Sequence, residues 1–401
     1  SRLKQLEGLT RSLFDIATVL EGGNASARAM DERPSRAPFA LDPDRAAGAI
    51  HVIATMWLAY LIWIYVPDLP GGTGFVIMAA AMGMVMVSMP PMSVWRLYPP
   101  VATATAFAAL LYMFVMPELS SFPALALLIF TVTFAICYLY AAPQQALGRT
   151  FGLAMFLMIT SISNQQTYSF LGVANTALLF PLVFLFLGFT AYIPFSPRPE
   201  HVFLRLLTRF FRSCEFLTST MGSGTRGSNS RWSQRRWAFH ANEVATLPGK
   251  LGTWVPHIDA ALAGTTPEQV QSLTISLQAL GYRIEALLEA RGIPQAQLLV
   301  QELREDMRVW HHGVQDTFER LSGDPTVAQR DAFRAGLAAI MNRLEDRIHA
   351  TLDKANDQLS EQDGENFYAM LGACRGVSGA LVDYAGSAGA IDWSRWREER
   401  F

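Results

Sequence analysis

From Ala46 to Ile193 the chain runs in long apolar stretches broken only at short intervals, a pattern that predicts helices crossing a hydrocarbon layer. About 20 apolar residues suffice for one crossing. Six spans are predicted, at Ala46–Val66, Thr73–Trp95, Pro99–Met116, Phe122–Ala142, Gln145–Ser163 and Ser169–Ile193. The loops between them are short, so consecutive spans should be antiparallel neighbours. Six runs of this length could not all be interior in a soluble domain. Ahead of the block, Leu3, Leu6, Leu9, Leu13, Ile16 and Leu20 predict an amphipathic helix over Ser1–Gly22, with a linker to Asp44. Beyond Pro194 the pattern turns amphipathic. Phe203, Leu206, Leu207, Phe210 and Phe211 stand beside Arg205, Arg209 and Arg212 in a helix predicted over Pro199–Ser219. That helix either lies on the membrane surface or continues out of the last span. A Gly/Ser-rich loop over Gly222–Ser233 precedes helices ending near Arg291, Leu321, Ala355 and Ala385. Thr266-Pro267-Glu268-Gln269 and Asp324-Pro325 are read as start signals.

No strand-like alternation of any length appears, so the predicted class is all-α. The expected domains are an N-terminal amphipathic helix and linker (1–45), a six-helix transmembrane bundle (46–193) and a helical cytoplasmic domain (194–401).

Charge sharpens the topology. Within the apolar block the basic residues are Arg96 and Arg149, and the acidic ones are Asp68 and Glu118. The arginines follow the second and fourth runs and the acids follow the first and third. This is the positive-inside arrangement, with both flanks in the cytoplasm. Trp63, Tyr65 and Tyr168 at one boundary, and Trp95, Tyr98, Tyr140 and Tyr192 at the other, suit aromatic belts. A net charge of -2 argues against nucleic acid as a partner. The cysteines, Cys137, Cys214 and Cys374, match no ligand spacing and are read as small buried hydrophobes, with no metal site.

No phosphate-binding loop, dinucleotide fingerprint or nucleophile elbow is present, so no cofactor and no enzymatic activity are expected. His311 and His312 are adjacent on a helix, too far apart in direction to share a metal, and are read as solvated. The candidates lie in the membrane block. Arg149, one turn inside the fifth span, is either a topology anchor or a cation at the mouth of an anion path, with Gln144 and Gln145 as partners. Arg96 is placed in a loop, as an anchor or a second pathway cation. Asn164 and Asn175 are either interhelical glue or hydrogen-bonding groups lining the path. Met82, Met84, Met86 and Phe156 are candidate walls for an aromatic ring. His51 is either an interfacial histidine or a proton-coupling group. Pro90-Pro91 and Pro181 are expected to kink or interrupt their spans.

Several of these features together resemble a known family. They are the six short-looped spans, the Pro70–Gly74 loop, the Ile159–Asn164 end of the fifth span, the segment Tyr192-Ile-Pro-Phe-Ser-Pro-Arg-Pro-Glu200 and the helical region after it. The layout resembles the fusaric acid resistance and aromatic acid exporter family, and is similar in plan to the plant aluminium-activated malate transporters. The resemblance implies an inner-membrane exporter of aromatic carboxylic acids, driven by the proton gradient. Its implied partners are the lipid bilayer, a small organic anion, a periplasmic adaptor, an outer-membrane channel and further copies of itself. It also implies correspondence to the second of two tandem units, the helix Phe367–Ala385 having the amphipathic character of Ser1–Gly22. A passive anion channel and a non-transporting scaffold are the alternatives.

Overall fold

The computed structural model describes residues 43–67, 72–88, 94–142, 145–162, 168–193, 196, 198–222, 231–259, 263–293, 297–326, 335–336, 339–340, 342–343, 346–347 and 361–397. The predicted helix over Ser1–Gly22, its linker and Pro90-Pro91 lie outside them. Among the described residues there is no strand. The apolar half comprises α1 (Pro43–Tyr65), α2 (Gly72–Ser88), α3 (Val94–Leu110), α4 (Phe122–Leu139), α5 (Ala146–Thr160) and α6 (Phe170–Thr190). The second half comprises α7 (Pro199–Gly222), α8 (Arg231–Trp254), α9 (Pro267–Gly292), α10 (Gln297–Glu302), α11 (Arg304–Gly323), α12 (Glu361–Ala388) and α13 (Trp393–Arg397).

Four helical stretches are long and apolar enough to cross a membrane: Pro43–Tyr65, Leu97–Glu118, Phe122–Leu139 and Phe170–Thr190. The stretch from Leu97 adds a π-turn (Leu111–Val115) and a 3₁₀ turn (Met116–Glu118) to α3. Helices α2 and α5 are apolar but shorter, at 17 and 15 residues. At about 1.5 Å per residue they rise less than the roughly 30 Å of a hydrocarbon core. Of the six expected spans, four therefore have spanning length among the described residues. For α5 the cause is local: Ser161 adopts a left-handed conformation (φ 34°) and stops the helix after Thr160.

Two further expectations change. Arg96 does not sit in a loop, because α3 begins at Val94 and runs through Pro99 and Pro100. Pro181 does not interrupt the last apolar helix, and α6 is continuous across it. This helix opens on Ser169, whose Oγ accepts the Gly172 N–H at 3.2 Å.

Interior packing in the apolar half divides into two clusters. Ala59, Phe75, Leu97, Met155, Phe184 and Leu187 belong to one, and Ala108, Tyr112, Val132, Phe156, Ile159 and Val173 to the other. Outward positions are equally apolar: Ile64, Ile77, Phe114, Phe122, Leu171 and Leu178 are between 62% and 81% exposed. A surface this apolar belongs in lipid, where helices keep every backbone bond internal.

Helices α7, α8, α9, α11, α12 and α13 share one core. The apolar stripe of α7 (Phe203, Leu206, Leu207, Phe210, Phe211, Cys214, Leu217) is almost wholly buried, with α8 and α11 packed against the helix. That burial leaves no apolar face for a membrane surface, so the surface placement of this helix is corrected. Helix α13 closes the core through Trp396, whose ring lies 5.5 Å from that of Phe203. The predicted start of α9 is present as a full capping box between Thr266 and Gln269. Cys214 and Cys374 are buried, as expected, and Cys137 is half-buried.

Candidate functional site

His51 and Thr55 are one turn apart on α1 and face the end of α6, and Ala59 is the next position on that stripe. All three are buried. His51 Nδ1 lies 2.8 Å from the carbonyl oxygen of Thr190. A carbonyl only accepts, so Nδ1 carries the proton and, in the neutral ring, Nε2 is the basic nitrogen. Thr55 Oγ1 donates to the His51 carbonyl at 2.9 Å, Thr190 Oγ1 donates to the Phe186 carbonyl at 3.0 Å, and the two hydroxyls are 2.8 Å apart. The two hydroxyl protons are thus outnumbered by their contacts, so at least one contact always shares or lacks its proton. Either hydroxyl can swing its O–H from a backbone carbonyl to the other hydroxyl without moving a heavy atom.

Two turns before His51, on the same face of α1, stands Asp44. Its carboxylate accepts from Arg209 Nη1 at 2.7 Å and from Lys250 Nζ at 3.1 Å. Arg209 also grips Glu243, through Nε at 3.1 Å and Nη2 at 2.8 Å. Burial pushes the Glu243 carboxyl above its ordinary range, against the opposing pull of Arg209 and Lys250. Arg205, one turn before Arg209, has its pKa lowered by burial and by Arg209, with Asp44 acting the other way. Among the described residues, three cations from α7 and α8 therefore gather around two carboxylates at the head of α1.

The remaining sequence candidates are not brought together. Arg149 is half-buried in the first turn of α5, and Gln145 is exposed as the residue capping it, with no side-chain hydrogen bond to the helix. Neither Arg149 nor Asn175, half-buried on α6, makes a side-chain hydrogen bond or ion pair within the described residues. Arg96 lies in the first turn of α3, and Asn164 and Gln144 lie outside the described residues. The proposed aromatic wall separates: Met84 is 63% exposed, while Phe156 and Met82 belong to different clusters.

In the second half, His311 is not solvated: Nε2 donates to the Thr218 carbonyl at 2.7 Å. His240 contacts Ser213 Oγ at 3.0 Å and stacks 4.2 Å from the Phe216 ring, whose face also carries the Arg236 guanidinium. Burial first, then the Arg236 charge, pushes the His240 pKa down to about 4. No group of three or more potential ligands could hold a metal ion among the described residues.

A family model described as the fusaric acid resistance protein family matches residues 4–238, more than half of the chain. The chain belongs to that family. No curated protein matches it. As a fusaric acid resistance family member with four helices of spanning length, it is a multi-pass membrane protein of a transport and efflux family. The family match contains His51, Thr55, Thr190, Asp44 and Arg209, and it ends before Glu243 and Lys250. Of the side chains that converge here, sequence reasoning singled out His51 for chemistry. The available signals for the others were an acid just ahead of the first apolar run and an arginine beside the apolar stripe of α7.

Proposed function

We propose that the protein is an inner-membrane secondary exporter of organic anions, with aromatic carboxylic acids as its substrates. It would couple their outward movement to the proton gradient. In this reading α1 to α6 all cross or enter the bilayer and α7 to α13 form a cytoplasmic domain. A periplasmic adaptor and an outer-membrane channel would complete the route. Arg149 and Arg96, both in first turns of apolar helices, supply cations at the cytoplasmic ends, and Asn175 and Gln145 supply neutral hydrogen-bonding groups.

The observation that carries the reading is the buried His51, locked by Nδ1 to the last residue of α6. Protonation at Nε2 places a full charge between α1 and α6, and that change of charge links a proton gradient to the packing of the two helices. Membership of a transport and efflux family supports the substrate class.

The test is flux of radiolabelled benzoate in proteoliposomes, with and without an imposed pH gradient. Gradient-stimulated flux that Arg149→Ala abolishes at equal protein incorporation is the expected result. Flux that is indifferent to the gradient, with currents reversing at the anion's equilibrium potential, would instead establish a passive anion channel.

A further inference from the structure

Among the described residues Asp44 is held by Arg209 of α7 and Lys250 of α8, and the pose of Arg209 is fixed without α1. Glu243, on α8, takes the Nε and Nη2 edge of Arg209, which leaves Nη1 aimed at Asp44 beside Lys250 Nζ. A guanidinium and an ammonium converging on the two oxygens of one carboxylate form a general carboxylate receptor. Arg205 adds a further cation within the field of both Arg209 and Asp44. Asp44 is 35% exposed in its side chain, so it can leave for water without crossing the core. An organic acid carries the same group with the same charge. Exchange of one carboxylate for the other leaves the charge balance of the cluster unchanged.

We infer that Arg209 and Lys250 form a binding site for the carboxylate of the transported anion, occupied here by Asp44 as a tethered competitor. Substrate binding then releases the head of α1 from the helical bundle. The chemical identity of the anion rests on the exporter reading; the site itself rests on the side chains. Because Asp44 is always nearby, the apparent affinity for a free anion is the intrinsic affinity reduced by the fraction of time Asp44 is away. Removing its charge uncovers the intrinsic value. Release also loosens the helix that carries His51, two turns further along the same face.

Equilibrium dialysis of radiolabelled benzoate against the detergent-solubilised full chain at low ionic strength tests this. Asp44→Asn should bind benzoate about tenfold tighter or more, and adding Lys250→Met should return binding to the parent level or below. Glu200→Gln, which removes another acid from the first turn of α7, should leave binding unchanged. No tightening in correctly folded Asp44→Asn protein, or equal tightening by Glu200→Gln, overturns the inference. If Asp44→Asn does not fold, Lys250→Met alone decides: weaker benzoate binding supports the site and unchanged binding overturns it. The expected binding pattern without proteoliposome flux keeps the site and removes the exporter. Gradient-driven flux with no binding change in Asp44→Asn does the reverse.

Discussion

His51 Nδ1 and the carbonyl oxygen of Thr190 are 2.8 Å apart across 139 positions of chain, and this contact ties the first apolar helix to the last. The acceptor is backbone, so Thr190→Val leaves it intact and removes only the hydroxyl shared with Thr55. His51→Gln keeps a donor for the same carbonyl but cannot titrate. We expect His51→Gln to assemble normally and retain downhill flux of benzoate while losing stimulation by a pH gradient. His51→Leu, which strands the carbonyl, should lower the thermal midpoint as well. Full gradient stimulation in His51→Gln would remove the coupling role.

Arg209 is the hinge of the ion cluster, and its removal takes from Glu243, with a side chain only 6% exposed, the guanidinium that hydrogen-bonds it. Arg209→Ala should destabilise the protein by about 3–5 kcal/mol. Replacing both partners, as Arg209→Met with Glu243→Met, should recover most of that loss, because no charge is then stranded. Thermal unfolding of the two variants side by side measures the difference. Equal loss in both would show that packing, not the ion pair, sets the cost.

The His240 ring makes stability depend on pH. Its folded pKa is depressed to about 4 from an ordinary 6.5. Between those values the unfolded chain binds a proton that the folded chain does not, so stability rises with pH through the window. The contribution is complete above about 6.5 and is lost as pH falls towards 4. His311, shifted in the same direction by burial, adds to the slope. Thermal midpoints of parent and His240→Gln from pH 4 to 7 should diverge, with the variant flatter. Parallel curves would refute the assignment.

On α6, Gly188 packs against Trp95 of α3. A methyl group there would meet the Trp95 indole at 2.8 Å, and an indole is too rigid to yield. Gly188→Ala should destabilise by about 1–3 kcal/mol through overpacking. Adding Trp95→Leu should relieve it. An unchanged midpoint for Gly188→Ala would mean that the two helices part more easily than this contact implies.

What the sequence made legible follows from how local each cause is. The cap of α9 and the apolar stripe of α7 are written in neighbouring residues and were readable as such. His51 stood out as a titratable ring in an apolar run, but its partner did not, because Thr190 is fixed only by the packing of α1 on α6. The Asp44 cluster was illegible for the same reason: its contacts span 165 and 206 positions, and the register of α7 against α8 decides them. Arg96 was misplaced because Pro99-Pro100 reads as a helix start. In the folded chain those prolines sit just inside a helix already begun at Val94, where the donors they lack would have reached only its first turn.

The division of the apolar half into two clusters has a mechanical consequence. Helices α1 and α2 contribute to one packet and α4 to the other, while α3, α5 and α6 contribute to both. Among the described residues the two packets are joined through those three shared helices. One of them is not a uniform rod: α3 passes into the wider π-turn at Leu111 as it enters the second packet. The assembly is two packed blocks on common axles, and the π-turn is the place where one axle departs from regular α-helical geometry and can yield to twist.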